Sequence, residues 1–294
     1  MITVGHWERA ILHLRRISPK ARACRSRGVS SRASIERMEE RILLAAPVAN
    51  ASADGVASAS KLWLTDSGTD DIQTAELDGS NVQQLLPVGE PVEMALDVDN
   101  GKVYWLDADA PRGIRRANLD GTNVETVIVT NSIGMTGLEI DATNGKIYLS
   151  DRFFVGRIFR ADLDGTNLQT IVTGLDTPQG IALDVVGGKV YWTEEGTTRR
   201  IKRANLDGTN VELLVLGLGT PHDIVLDVDA GHMYWTDFSQ DVIKRADLNG
   251  LNQQTIVSGL SLPLGLEIDP SGGHLYWVDN GTKLLQRSDL DGSK

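Results

Sequence analysis

Cysteine is nearly absent from this sequence. Cys24 is the only one in 294 residues, so no intrachain disulfide can form and no Cys/His set with metal-ligand spacing exists. Stability must therefore come from packing. Long apolar runs are missing as well: the longest near the N-terminus is Ile42 to Ala49, too short to span a bilayer. Beyond residue 50 positive charge is scarce, with 19 Lys and Arg against 36 Asp and Glu, a balance of −17. A body that acidic repels phosphate backbones, which argues against a nucleic-acid partner. Aromatic residues make up only 5% of the chain, so their placement is informative. No Ser-His-Asp order, Gly-rich phosphate loop or adjacent His pair occurs, and no cofactor is expected.

What is present is a repeat. The segments KLWLTD, KVYWLD, KIYLSD, KVYWTE, HMYWTD and HLYWVD end at Asp66, Asp107, Asp151, Glu194, Asp237 and Asp279, with spacings of 41 to 44 residues. Each leads into a second motif, from IQTAELDG at Ile72 to LQRSDLDG at Leu285. Five copies follow an apolar stretch ending in Asp97, Asp141, Asp184, Asp227 or Asp269. Within one unit, GIALDV (Gly180–Val185) reads as a buried strand, KVYWTE as a β-branched and aromatic strand, IKRANL as an alternating one, and VELLVL (Val211–Leu216) as a fourth. The Asp-Gly pairs supply hairpin turns. Four short antiparallel strands per unit, with no helical period, describe a propeller blade, and six copies predict an all-β, six-bladed β-propeller over residues 51–294.

The Tyr-Trp-Thr-Asp box, the following Ile-x-Arg-Ala-x-Leu-Asp-Gly and the period resemble the class B (YWTD) repeats of the low-density lipoprotein receptor family. The resemblance covers roughly Lys61 to the C-terminus. It implies a six-bladed propeller and an extracellular interaction domain, secreted or at the cell surface, without chemistry of its own.

Positions that repeat read as scaffold. Tyr104, Tyr148, Tyr191, Tyr234 and Tyr276 share one register, and Trp105, Trp192, Trp235 and Trp277 the next, with Trp63 replacing Tyr in the first copy. The six box acids also repeat, as do Arg116, Arg160, Arg203, Arg245 and Arg287, with Thr74 in the first copy. Acid and Arg are expected to tie strands together by charge-assisted hydrogen bonds; the rival is an acidic ring that holds a cation in the channel. His232 and His274 replace Lys and read as solvent-facing turn residues. DVDNG (Asp97–Gly101) lacks the further acids of a calcium loop and reads as a turn.

Positions that break the repeat are the candidates for function. Phe153 and Phe154, beside Arg152 and Arg157, lie in a loop between second and third strands, and Phe238 lies in the equivalent loop two blades on. Where other copies read Pro-x-Gly before the first strand, two read Pro91-Val92-Glu93 and Pro221-His222-Asp223. Glu93, Arg152, Phe153, Phe154, Arg157, His222, Asp223 and Phe238 are therefore expected on one loop face, as a surface for a protein or glycan ligand. The expected function is non-catalytic recognition. Two alternatives stay open: a metal-dependent lactonase or hydrolase at the channel mouth, and a structural spacer within a larger surface protein.

The ends differ from the body. Residues 1–50 carry ten Lys and Arg against four acids, and residues 1–37 read as disordered. Met38–Pro47 (MEERILLAAP) resembles the LEPR-XLL motif of large bacterial surface proteins through Glu39, Arg41, Leu43 and Leu44, with Met38 and Glu40 departing from it. A transit peptide is the alternative, against which the acids Glu36, Glu39 and Glu40 speak. The sixth unit stops at its turn, and the first lacks an apolar first strand. Arg41–Val48 is a candidate to close the ring; otherwise the chain is a piece of a longer protein. The number of copies in the assembly is left open.

Overall fold

A computed structural model describes residues 42–48, 61–130 and 132–293. The tail, Cys24, and the Met38, Glu39, Glu40 and Arg41 positions of the N-terminal motif lie outside the described residues. The chain forms six antiparallel sheets arranged as blades. Blade 1 holds β1 (Ile42–Val48), β2 (Lys61–Asp66), β3 (Asp71–Glu76) and β4 (Gln83–Pro87). Blade 2 holds β5 (Pro91–Asp97), β6 (Lys102–Asp107), β7 (Gly113–Asn118) and β8 (Glu125–Val129). Blade 3 holds β9 (Met135–Asp141), β10 (Lys146–Asp151), β11 (Gly156–Asp162) and β12 (Gln169–Leu175). Blade 4 holds β13 (Pro178–Asp184), β14 (Lys189–Glu194), β15 (Arg200–Asn205) and β16 (Glu212–Leu216). Blade 5 holds β17 (Pro221–Asp227), β18 (His232–Asp237), β19 (Val242–Asp247) and β20 (Gln254–Ser258). Blade 6 holds, among the described residues, β21 (Pro263–Asp269), β22 (His274–Asp279) and β23 (Leu284–Asp289).

The first strands β1, β5, β9, β13, β17 and β21 touch their neighbours in that order, and β21 touches β1, which completes the ring around a central channel. Ile42–Val48 thus stands as the innermost strand of blade 1, with Ile42 opposite Asp66. It does not supply the fourth strand of blade 6.

Packing between blades follows from the repeated columns. Six clusters of buried residues fill the six seams. At the seam of blades 2 and 3, for example, Tyr104, Leu106, Ile114 and Ile128 meet Leu138, Ile147, Leu149 and Ala161. Trp105, Trp192 and Trp235 have no exposed surface. Burying rings of this size is the principal source of stability where disulfides are absent.

The polar columns bind one blade to the next. Tyr148 Oη and Arg160 Nη1 both donate to the carbonyl of Leu206, at 3.2 and 3.0 Å, across the seam of blades 3 and 4. Tyr191 and Arg203 do the same to Leu248, and Tyr104 and Arg116 to Leu163. Arg287 reaches Leu77 O at 3.5 Å and so joins blade 6 to blade 1. The box hydroxyls form a second set: Ser150 Oγ donates to Gln179 O, Thr193 Oγ1 to His222 O and Thr236 Oγ1 to Leu264 O. The Asp-Gly turns also need glycine for close approach. Gly208 has φ 84°, and a Cβ there would stand 2.0 Å from Ile171 O in the preceding blade.

Two outcomes follow. Trp192→Ala should cost about 3–5 kcal/mol in thermal or denaturant unfolding, while Val186→Ala, at a side chain 95% exposed, should stay within about 0.5 kcal/mol. Deleting residues 1–50 removes β1 and should lower the melting temperature sharply; an unchanged melting temperature would show that this segment contributes nothing to closure.

Candidate functional site

The loops that link second to third strands share one face with those that lead into first strands. The backbone shows this directly: Ala108 N donates to Glu90 O, Arg152 N to Gly134 O, Glu195 N to Thr177 O, Phe238 N to Thr220 O and Asn280 N to Leu262 O. The box acids sit beneath this face and are all buried. They do not meet the repeated Arg column, which serves the seams described above. Each acid instead organises the loops. Asp237 accepts from Gly219 N, Thr220 N and Gln240 N, and Asp279 from Ser261 N and Thr282 N. Asp66 accepts from Gly68 N, and Asp107 from Asp109 N. Glu194 accepts from Asp176 N, Trp192 Nε1, Arg200 and Lys202. Burial would raise its pKa, but these donors hold it below the usual range.

Of the residues that break the repeat, Phe153 and Phe154 stand together on the loop face of blade 3, their rings edge to face with centroids 4.1 Å apart. Phe153 is half-buried and packs on Gly134, where a Cβ would come within 2.7 Å of it. Phe154 is 89% exposed, and Ile133 and Val155 beside the pair are exposed too. Phe154 also has φ 55°, a left-handed conformation that is unfavourable for a bulky side chain. The corresponding turns of blades 1, 5 and 6 place Asp70, Asp241 and Lys283 in that conformation. Arg152 faces Glu195 of the next blade at 3.9 Å. Arg157 is bound to Asp151 at 2.9 Å and lies over the Phe159 ring, so it also serves the scaffold. Phe238 is half-buried and two blades away from the Phe pair.

Glu93 and Asp223 belong to a different place, the channel. They line a narrow cavity of about 20 Å³ together with Glu139 and Glu267. The four carboxylates come from β5, β9, β17 and β21, so Glu93 stands opposite Asp223 across the ring, and Glu139 opposite Glu267. Blade 4 offers Gly180 at this level, where a Cβ would come within 2.7 Å of Asp223 Oδ1. His222, the neighbour of Asp223, gives its carbonyl to Thr193. Glu139 and Glu267 escaped the sequence reading, although a signal existed. Both occur in L-E-I-D segments where other blades have Ala or Val before Leu-Asp, an acid set inside an otherwise apolar strand.

Electrostatics follows from like charges in a confined space. Asp223 accepts from Leu266 N at 2.8 Å and Ile224 N at 2.9 Å, which restrains it, yet burial raises it to about 6. Burial, and then the charge of Asp223, raises Glu139 to about 8. Glu93 and Glu267 are pushed well above the usual range, again chiefly by burial and then by the neighbouring acids. Among the described residues, no three Asp, Glu, His or Cys side chains converge closely enough to hold a metal ion.

A carboxylate raised in the folded state stabilises the fold below its unfolded pKa and forfeits that contribution as pH rises through its folded value. For Asp223 the window runs from the ordinary Asp range to about 6, and for Glu139 from the ordinary Glu range to about 8. The melting temperature should therefore fall between about pH 5 and pH 8. Glu139→Gln should flatten that slope, raising the melting temperature at the upper end by about 2–4 °C per kcal/mol recovered and changing little at the lower end. Melts across this range check it.

Comparison with known proteins fits the geometry. The chain is similar to one in the crystal structure of a nidogen/laminin complex: 26% identity, TM-score 0.71, covering 77% of this chain and 88% of that one. It also superposes on a gluconolactonase from Xanthomonas campestris, with 16% identity, TM-score 0.65, and 82% and 84% of the two chains covered. A third likeness is to the PQQ-bound aldose sugar dehydrogenase from Streptomyces coelicolor, with 16% identity, TM-score 0.66, and 85% and 91% covered. At such identity these two enzymes share the fold alone. No curated protein matches this sequence. Residues 231–270 match the low-density lipoprotein receptor repeat class B, and the described residues form a six-bladed propeller in which a similar box and turn recur in every blade.

Proposed function

We propose that this propeller is a non-catalytic recognition module that binds a protein through the loop face of blade 3. The observation that carries this reading is Phe154, a large apolar ring 89% exposed in a backbone conformation that disfavours it. Such a residue costs stability, by about 1 kcal/mol or more, and exposes apolar area to water. Phe153 stiffens it from behind, and Ile133 and Val155 widen the patch. A rigid aromatic anchor rimmed by polar loops is the form that energetically dominant contact residues take. Arg152, Glu195 and Phe238 on the same face supply peripheral contacts. Similarity to a chain from a nidogen/laminin complex supports a protein partner over a glycan. The propeller works outside the cell, secreted or surface-attached. No helix among the described residues is long and apolar enough to cross a membrane. The exposure of Phe154 counts against the spacer reading, which buried Phe would favour.

A second reading, a metal-dependent hydrolase at the channel mouth, draws on the four channel carboxylates. Their separation weakens it. Hydrolysis of a lactone on addition of calcium, lost in Asp223→Asn, is the observation that would favour it.

Phe154→Asn places a residue that tolerates the left-handed turn at this position. It should leave the melting temperature unchanged or raise it by a few degrees, while capture of a partner from the secreted fraction falls at least about tenfold. Equal capture by wild type and the Phe153→Ser/Phe154→Asn double variant, with intact folding, would remove the loop-face reading.

A further inference from the structure

Charge is unevenly spread over this acidic body, and the arginines mark the exception. Eleven of them lie between residues 61 and 294. Five stand in the column that serves the seams: Arg116, Arg160, Arg203, Arg245 and Arg287. Three more neutralise box acids, with Arg115 bound to Asp107 at 2.7 Å, Arg157 to Asp151 at 2.9 Å and Arg200 to Glu194 at 2.6 Å. Three remain. Arg112, Arg152 and Arg199 belong to no repeated column, and they lie in the second-to-third-strand loops of blades 2, 3 and 4 in turn. All three are exposed, and Arg152 is two residues from Phe154. At the opposite end of the blades the third-to-fourth turns expose acids instead, among them Asp78, Asp120, Asp164 and Asp207.

Acids occur around these loops too, but most are held against the scaffold. Asp109 lies on Gly89, where a Cβ would stand 2.9 Å from the Asp109 Cβ and 3.0 Å from its Oδ2. Asp176 accepts from Thr197 Oγ1 at 2.8 Å and from Thr198 N at 3.0 Å. Glu195 is half-buried and stands 3.9 Å from Arg152, a separation that takes up little of the guanidinium charge. Glu90 is exposed, in the loop from blade 1 to blade 2. The segment entering blade 3, residues 130–134, carries no charge at all. Around the apolar patch of Ile133, Phe154 and Val155, the charge turned to solvent is therefore chiefly guanidinium.

We infer that the loop face of blades 2 to 4 recognises an acidic segment of a partner protein, with an apolar side chain seated on Phe154 and carboxylates bound by Arg112, Arg152 and Arg199. This rests on the reading of Phe154 as a contact residue and adds the chemistry of what it contacts. A guanidinium presents a planar fork of donors that matches a carboxylate, so each arginine fixes position as well as charge. A sulfated glycan would satisfy the arginines, but it has no apolar side chain to cover Ile133 and Val155. Three arginines on three separate loops suit a chain with spaced carboxylates. The acids of the opposite face repel such a segment, which steers it to this one.

The probe is a library of random linear peptides displayed on phage and selected on the full chain at physiological salt. Selected peptides should be enriched in Asp and Glu beside a Leu, Ile, Val or aromatic residue. The tightest of them, made synthetically, should bind at least about tenfold more weakly to Arg112→Ser/Arg152→Ser/Arg199→Ser and to Phe153→Ser/Phe154→Asn. The triple arginine variant should keep the wild-type melting temperature, because its altered side chains are exposed. Exchanging the peptide's Asp and Glu for Asn and Gln should cause the same loss on wild type and no further loss on the triple variant. Apolar peptides without acids, bound equally by wild type and the triple variant but lost on the Phe variant, would overturn the acidic-segment proposal while the Phe154 reading stands. Peptides indifferent to both variants would overturn both. Arginine-dependent capture of heparin with no acidic peptide selected would assign the arginines to a glycan and overturn the proposal, as would a library that yields no specific peptide.

Discussion

Three successive seams, from blade 2 to blade 5, rest on one recurrent bond pattern, a tyrosine hydroxyl and an arginine converging on a single leucine carbonyl of the next blade. Without disulfides, and with only short-range pairing inside each sheet, blades would otherwise meet through apolar contact alone. A guanidinium on a carbonyl fixes the rotation of one blade against the next, because its bond is directional in a way that packed Ile and Leu are not. At the seams of blades 3 and 4 and of blades 4 and 5 the box hydroxyl adds a second bond, to a carbonyl of the next blade's first strand, so these two seams are pinned at two places. The Asp-Gly turn completes the arrangement, since the leucine carbonyl is presented by the same turn whose glycine packs on the preceding blade. Sequence columns that look like a motif are thus components of one joint.

With the joints assigned to scaffold, the remaining residues sort into two places. The loop face of blade 3 carries an exposed aromatic in a strained turn. The channel carries four carboxylates facing one another in pairs, with blade 4 contributing only glycine at that level. These differ in kind: exposed apolar area and confined like charge cost free energy in different ways, and each identifies where the propeller departs from sixfold repetition.

The repeat was legible because it is local. Spacing, turn chemistry and the alternation within KVYWTE and IKRANL lie within one unit, so six blades and their strand order can be read along the chain. The Phe pair was legible for the same reason, as a loop insertion against a known frame. The channel was only half legible. Glu93 and Asp223 stand out because they replace glycine before the first strand, while Glu139 and Glu267 hide inside apolar runs where Ala or Val stands elsewhere.

The sequence by itself determined the number of blades, the composition of each seam and the loop on which Phe154 stands, because these follow from short-range pattern. Tertiary structure decided three things: that Ile42–Val48 lies innermost in blade 1, that the acids of β5 and β17 face each other, and that those of β9 and β21 do too. The reason is geometric. First strands such as β17 carry a register shift between Pro221 and Ile224, so counting alternate residues from one end does not reveal which side chains face the channel. Opposition across the channel exists only once strands more than a hundred residues apart have been brought together by closure of the ring.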